Sequence, residues 1–239
     1  MRNNPSIEIL STRPLRDDIV HKAALKQVAI DTASFIATQP VDNETLRTQI
    51  NDIATSSNVV AIFTSMNAVE SVIQKLSAPP TWKLFTMGGI TKELTIQFFG
   101  ETNFLASAKN ATALAEKIVH HGGINKVVYF CGDQRLDELP ETLKANGIAV
   151  EEIVVYETIQ TPVDIQKNYT GIVFFSPSAV HSFFSLNTIP TNTILFSIGK
   201  TTTACIKTYV TNEVVTSDWP GKEQMIDQVI AYYTAVNHA

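Results

Sequence analysis

Cysteine is scarce in this chain of 239 residues: Cys131 and Cys205 are its two. Neither belongs to a Cys-x-x-Cys pair or lies beside histidines at zinc spacing, which removes a disulfide framework and a zinc site and leaves both as reduced core residues. Basic residues are also short, 18 Lys and Arg against 23 Asp and Glu for a net charge of −5. No lysine or arginine cluster is available to displace counterions along a phosphate backbone, so a nucleic-acid partner is excluded. Long apolar runs are missing. The longest, such as Gly171 to Phe175 and Val127 to Cys131, fall far short of the roughly 20 residues that span a bilayer, so no membrane segment is expected. Neither Gly-x-Gly-x-x-Gly nor Gly-x-x-x-x-Gly-Lys-Ser/Thr occurs, which weighs against a nucleotide- or sugar-binding enzyme. Of the five histidines, His120 and His121 close a helix before Gly122, where a cation suits the helix dipole. His21, His181 and His238 have no spaced partner, so no metal is expected. Met1 to Ser6 lead into a strand-like segment without the apolar stretch and small-residue cleavage site of a signal peptide, and a cytoplasmic location is the expectation.

What is present is an ordinary globular composition, 44% hydrophobic and 17% charged, enough for one large core or two small ones. Short apolar runs alternate with longer amphipathic stretches, the pattern of an α/β protein whose parallel sheet is flanked by helices. Strands are expected at Ile7–Ser11, Val28–Thr32, Val59–Thr64, Lys83–Met87, Asn103–Ala106, Lys126–Cys131, Ala149–Tyr156, Gly171–Ser176, Thr193–Ile198 and Glu213–Thr216. Helices are expected over Ala68–Leu76, Ala111–His121, Leu139–Asn146, Ala179–Leu186 and Lys222–Tyr233, where apolar residues recur at three- and four-residue spacing.

An internal repeat carries more information than any single motif. Ile62-Phe63-Thr64-Ser65 before Ala68-Val69 matches Phe174-Phe175-Ser176 before Ala179-Val180: a buried strand ends in serine, turns, and Ala-Val opens a helix. Thr86-Met87-Gly88-Gly89 matches Ser197-Ile198-Gly199-Lys200, and Ser65 to Gly88 and Ser176 to Gly199 are both 23 residues apart. Upstream of each block, Ile7 to Leu15 matches Val127 to Leu136 as strand, loop, arginine, helix and second strand. The chain reads as X-Y-X-Y and predicts two similar α/β domains with a pseudo-twofold relation and a cleft between them, a favoured kind of ligand site. Taken alone, the repeat suggests tandem domains meeting near Gly122-Gly123.

Six segments now stand in order: Thr12-Arg13-Pro14, Phe63 to Val69, Phe130-Cys131-Gly132, Val155-Tyr156-Glu157-Thr158, Phe174 to Val180, and Ile198-Gly199-Lys200-Thr201-Thr202. In order and spacing they resemble the uroporphyrinogen-III synthases across nearly the whole chain. The resemblance implies two flavodoxin-like domains, each a parallel sheet flanked by helices. One is discontinuous, 1–34 plus 162–239, and the other is 40–156; residues 35–39 and 157–161 form a two-stranded extended connector. It also implies a cofactor-free, monomeric, cytoplasmic lyase of haem biosynthesis. Its substrate would be the linear tetrapyrrole hydroxymethylbilane, with a transient contact to the preceding enzyme of the pathway as a further partner. The alternative is a non-catalytic sensor that holds a tetrapyrrole or another polyanion on the same fold.

That chemistry selects candidate residues. Ser65, Thr91, Ser176, Ser178, Thr201 and Thr202 lie where a strand ends and a helix begins, at the edge of a parallel sheet that faces a ligand crevice; the same residue types also serve as ordinary helix N-caps. Gly88 and Gly199 either let the backbone approach substrate or supply turn dihedrals. Lys200 is a candidate carboxylate partner or a solvated surface lysine. Arg13 and Arg135 follow matching strands, and each could clamp a carboxylate bidentately or pair with a nearby acid such as Asp17 or Asp137; Arg13 is preferred because Thr12-Arg13-Pro14 fits the family pattern. The resemblance places Tyr156 toward the cleft, where a phenol, protonated at neutral pH, could assist departure of a hydroxyl; the other reading is a tyrosine packing at a strand end. The middle loop, Gly88-Gly89-Ile90-Thr91-Lys92, departs from the family in lacking a small residue after the threonine.

Overall fold

The computed structural model describes residues 7–217 and 221–236; the Met1 to Ser6 segment and His238 lie outside the described residues. Along the chain the elements are β1 (Ile7–Ser11), α1 (Asp17–Ala24), β2 (Val28–Thr32), β3 (Ile36–Pro40), α2 (Glu44–Thr55), β4 (Val60–Phe63), α3 (Met66–Ile73), β5 (Lys83–Met87), α4 (Ile90–Phe99) and β6 (Phe104–Ala108). They continue with α5 (Ala111–His121), β7 (Lys126–Gly132), α6 (Glu138–Ala145), β8 (Ala149–Gln160), β9 (Gly171–Phe174), α7 (Pro177–Phe184), β10 (Ile194–Ser197), α8 (Lys200–Ile206), β11 (Val214–Thr216) and α9 (Lys222–Val236). The chain divides into two compact units, Met1–Ala37 with Ile159–Ala239, and Thr38–Thr158.

The first unit carries the sheet β11-β10-β9-β1-β2, in which every strand pair is parallel. Numbered within the unit, this is strand order 2-1-3-4-5, the flavodoxin-like arrangement. In the second unit the order is β3-β8-β7-β4-β5-β6. Its five parallel strands give the same 2-1-3-4-5 order once counting begins at β7. The second unit is therefore a circular permutation of the first: X is the strand pair β1-β2 or β7-β8, Y is the triplet β9-β10-β11 or β4-β5-β6, and only their chain order differs. Gly122 and Gly123 sit between α5 and β7 inside the second unit. The tandem division near them does not occur, because β7 is paired to β4 through Val128, Tyr129 and Phe130.

Strands buried on both faces need apolar residues throughout, and alternate residues separate two cores. In the second unit Ala61, Phe63, Val128 and Phe130 enter one cluster while Ile62, Phe85, Val127, Tyr129 and Cys131 enter the other. In the first unit Ile9, Val173 and Phe196 face α1 and α9, and Leu10, Ile172, Phe174 and Leu195 face α7 and α8. The strongest single assembly is aromatic: the Phe130 ring lies 5.3 Å from both Phe63 and Trp82, and Trp82 is 5.7 Å from Phe99. The Trp82 indole N–H donates to Ile53 O at 3.1 Å, which ties the end of α2 to this stack.

Two local differences from the expected elements have simple causes. β9 stops at Phe174, short of Ser176, because Ser176 leaves the ladder to cap α7. Helix α2 is absent from the sequence-based assignment; only Leu46 and Ile50 are buried in its 12 residues, too sparse a stripe to register as a period. β3 and β8 each run past the division between the units. Thr161 N–H donates to Phe35 O within the first unit and Val41 N–H to Val155 O within the second, each at 2.9 Å; numbering rises on one strand as it falls on the other, so the pair is antiparallel.

Phe130 is fully buried at the centre of the stack, so Phe130→Ala leaves a void that neighbouring rings cannot fill. A loss of about 3–5 kcal/mol is expected, read as a lower midpoint in urea unfolding.

Candidate active site

In an open parallel sheet both faces are covered, and polar chemistry is confined to the carboxyl edge, with its widest opening where strand order reverses. That reversal lies between β1 and β9 in the first unit and between β7 and β4 in the second. In the first unit, Thr12 latches the two strands: its N–H and Oγ1 both donate to Val173 O, at 3.0 and 2.8 Å. Arg13 then emerges into solvent and makes no ion pair with a described residue. Arg135, its counterpart, is instead sequestered by Asp137 and Glu152. The two arginine alternatives thus divide, and only Arg13 remains available to a ligand.

Both serines behave as N-caps. Ser65 Oγ accepts from Asn67 N–H at 3.1 Å and Ser176 Oγ from Ala179 N–H at 3.2 Å. Each hydroxyl keeps its own proton for a further partner. Ser178, Thr91 and Thr202 are buried within the first turns of α7, α4 and α8, whereas Lys200 and Thr201 are exposed. The glycine alternatives also resolve. Gly199 has extended backbone, φ 174°, and Gly88 is outside the left-handed region, so neither is required by dihedral angle. That requirement falls on Gly89, with φ +67°. Gly199 O accepts from Thr203 N–H at 3.0 Å, and Thr203 Oγ1 bonds the hydroxyls of Ser197 and, at 2.7 Å, Thr216. This hydroxyl set, unrecognised in the sequence, fixes the start of α8, whose first residues are Lys200 and Thr201.

Tyr156 lies on Gly132 of the neighbouring strand, opposite it in register. A Cβ at position 132 would sit 2.5 Å from the Tyr156 ring carbons, so glycine is what allows the ring to rest there. The ring also packs on the cluster containing Phe63 and Phe130. Its hydroxyl has no hydrogen bond to a described residue, and the residue as a whole is half-buried. Beside it, Tyr129 and Thr64 share a hydrogen bond of 2.9 Å. Burial pushes the Tyr129 phenol up to about 12 and the Cys131 thiol up to about 11. Both therefore stay neutral in the fold, and Tyr129 acts as a fixed dipole. Among the described residues, no group of three His, Cys, Asp or Glu is placed to hold a metal ion.

The second unit's edge also holds a pocket of about 700 Å³ bounded by Met87, Gly88, Gly89, Ser107, Ala108, Lys109, Asn110, Ala113 and Lys117. Gly88 was the one residue of this pocket singled out from sequence. Lys109 and Lys117 were not, since one lies in a loop and the other two turns along α5 without a shared motif.

The raised values of Tyr129 and Cys131 have a consequence at alkaline pH. The unfolded chain releases these protons from ordinary values of 10.0 and 9.0, while the fold retains them to about 12 and 11. Their contribution is complete below pH 9 and is lost as pH rises through 11 and 12. Urea midpoints measured from pH 8 to 12 should fall, and Tyr129→Phe should flatten the upper part of that decline.

A sequence-family model described as HEM4, uroporphyrinogen-III synthase HemD, matches residues 19–227. The fold is similar to a solved structure of uroporphyrinogen-III synthetase from Helicobacter pylori, with a TM-score of 0.63, 17% identity, and 95% of this chain and 99% of that chain covered. It is also similar to a mutant uroporphyrinogen III synthase from Thermus thermophilus, with a TM-score of 0.57, 13% identity, and 98% and 100% covered. The two structures carry the fold, and the family model, which spans most of the chain, carries the membership: this protein belongs to the uroporphyrinogen-III synthase family.

Proposed function

We propose that this protein cyclises hydroxymethylbilane to uroporphyrinogen III, using donors at the carboxyl edges of both its sheets. The observation that carries the proposal is the family match over residues 19–227. The available groups at the edges are consistent with it: Arg13, Lys200 and Thr201 exposed on the first unit, Ser65 and the unpaired Tyr156 hydroxyl on the second.

The reaction needs conformation more than reactive groups. A pyrrole nitrogen of the substrate pushes out the terminal hydroxyl, the carbon–oxygen bond breaks, and with one proton the hydroxyl leaves as water. The resulting azafulvene is attacked by the substituted carbon of the last ring, forming a spiro intermediate. That intermediate reopens and recloses at the other side, so ring D is inverted, and loss of a proton restores the pyrrole. Tyr156 donates a hydrogen bond to the departing oxygen. Arg13 and Lys200 each pair with a carboxylate, and the hydroxyls of Ser65, Ser176 and Thr201 hold others. Favouring this closure a hundredfold over head-to-tail closure takes about 2.7 kcal/mol of differential transition-state stabilisation, within reach of positioning alone.

Freshly generated hydroxymethylbilane, supplied with and without the protein, tests the reading by the isomers of the oxidised product. Type III in the presence of protein alone supports it. Type I in both samples, from folded protein, contradicts it and leaves a tetrapyrrole-binding module. Tyr156→Phe should lower the rate about 100-fold, at the lower end of general-acid effects, without abolishing type III product. Gly132→Ala should reproduce much of that loss by displacing the Tyr156 ring; an unaltered rate in both variants would remove Tyr156 from the reaction.

A further inference from the structure

The pocket at the ends of β5 and β6 combines three properties that separate it from the rest of the second unit. Its walls are apolar where Met87, Ala108 and Ala113 meet, it is lined by Lys109 and Lys117, and no acidic residue lines it. In a protein of net charge −5, four lysines are neutralised by acids: Lys22 pairs with Asp227, Lys126 with Glu151, Lys144 with Glu152 and Lys167 with Glu8 and Asp31. The two pocket lysines do not. Lys117 Nζ donates to Ser107 O at 2.7 Å, which leaves two of its three donors and its full charge uncompensated. Lys109 has no hydrogen bond or ion pair to a described residue. Ala113 and Lys117 are four apart on α5 and share a face, so the helix turns an apolar patch and a cation toward the same space. One first-turn donor of α5 is already taken, since Asn110 Oδ1 accepts from Ala113 N–H at 2.9 Å.

We propose that this pocket is a subsite for one inner ring of the linear tetrapyrrole, with Lys109 and Lys117 pairing with that ring's two carboxylate arms and Met87, Ala108 and Ala113 packing on its face. This rests on the cyclase reading and extends it to a place on the protein. A volume of about 700 Å³ lies inside the ~300–1,000 Å³ range of ligand pockets. β6 lies two strand spacings from β4, roughly 10 Å along the edge. A ligand whose two ends meet near Tyr156 and Ser65, at the β7/β4 reversal, would extend toward β6 with a ring from the middle of its chain. The same edge exposes Met66, Ile90 and Leu136, apolar surface suited to the faces of intervening rings.

Two measurements keep the subsite separable from the cyclase activity. In the first, a monopyrrole bearing one acetate and one propionate is titrated into ¹⁵N-labelled protein. Shifts are expected at Gly88, Gly89, Lys109 and Lys117 in the wild type, and their loss is expected in the Lys109→Gln/Lys117→Gln double variant. The absence of these shifts, or their survival in the double variant, overturns the subsite whether or not the protein is an enzyme. In the second, steady-state closure of hydroxymethylbilane is followed. Each Gln variant should raise KM about 3-fold and the double variant about 10-fold, with kcat little changed, as expected for partly exposed charge pairs. Lys→Arg at both positions should restore KM, and added salt should narrow the gap between wild type and double variant. An unchanged KM with type III product still formed overturns the subsite and leaves the cyclase reading standing. Monopyrrole binding with type I product alone does the reverse.

Discussion

The constraint on which this structure depends is that each parallel sheet is covered on both faces. Residues at the centre of β4, β7, β9 and β10 are almost all buried, so neither face of either sheet can present a polar group to a ligand. Charge and hydrogen-bonding capacity are pushed to the strand ends. At the carboxyl edge the chain must also turn from strand to helix, and that turn places serines, threonines and glycines where backbone and side-chain donors converge. Fold and site are consequences of one arrangement.

The circular permutation shows how little the site depends on chain order. X and Y meet edge to edge in both units, once with X first and once with Y first, and in both cases the reversal lies between the leading strand of X and the leading strand of Y. At that junction the units have diverged in chemistry. The first presents Arg13 unpaired beside a threonine latch. The second has withdrawn the equivalent arginine, Arg135, into a pair with Asp137 and Glu152, and presents Tyr156 on the bare backbone of Gly132. One unit thus offers a cation at this junction and the other a phenol.

Most strands were legible from sequence because double burial demands continuous apolar runs, and β1, β2 and β5 occupy the expected residues. Helix α2 was not, since two buried positions make no visible stripe. Within the candidate site, sequence could name hydroxyls but not their duty: Ser65 and Ser176 cap their helices because capping and ligand binding select the same residue types at the same place. Burial decided the rest. Thr91 and Thr202 face inward, while Lys200 and Thr201, just before Thr202 in the chain, face out; a helix turn separates such fates by 100° per residue, which no residue-by-residue motif conveys. Lys109 and Lys117 escaped notice because a pocket assembled from a loop and a helix face leaves no local signature. Gly132 was quoted within Phe130-Cys131-Gly132, but its contact with Tyr156, 24 residues on, exists only across the β7/β8 ladder.

The central claim is that ligand is held at the carboxyl edges of both sheets. Amide hydrogen exchange with and without uroporphyrinogen III under anaerobic conditions tests it most directly. Added protection is predicted in loops 12–14, 175–178 and 198–201 of the first unit and 64–67, 88–91, 109–112 and 132–135 of the second. Unchanged exchange there, or protection at the opposite ends of the strands in loops 56–59, 122–125 and 146–148, would contradict it.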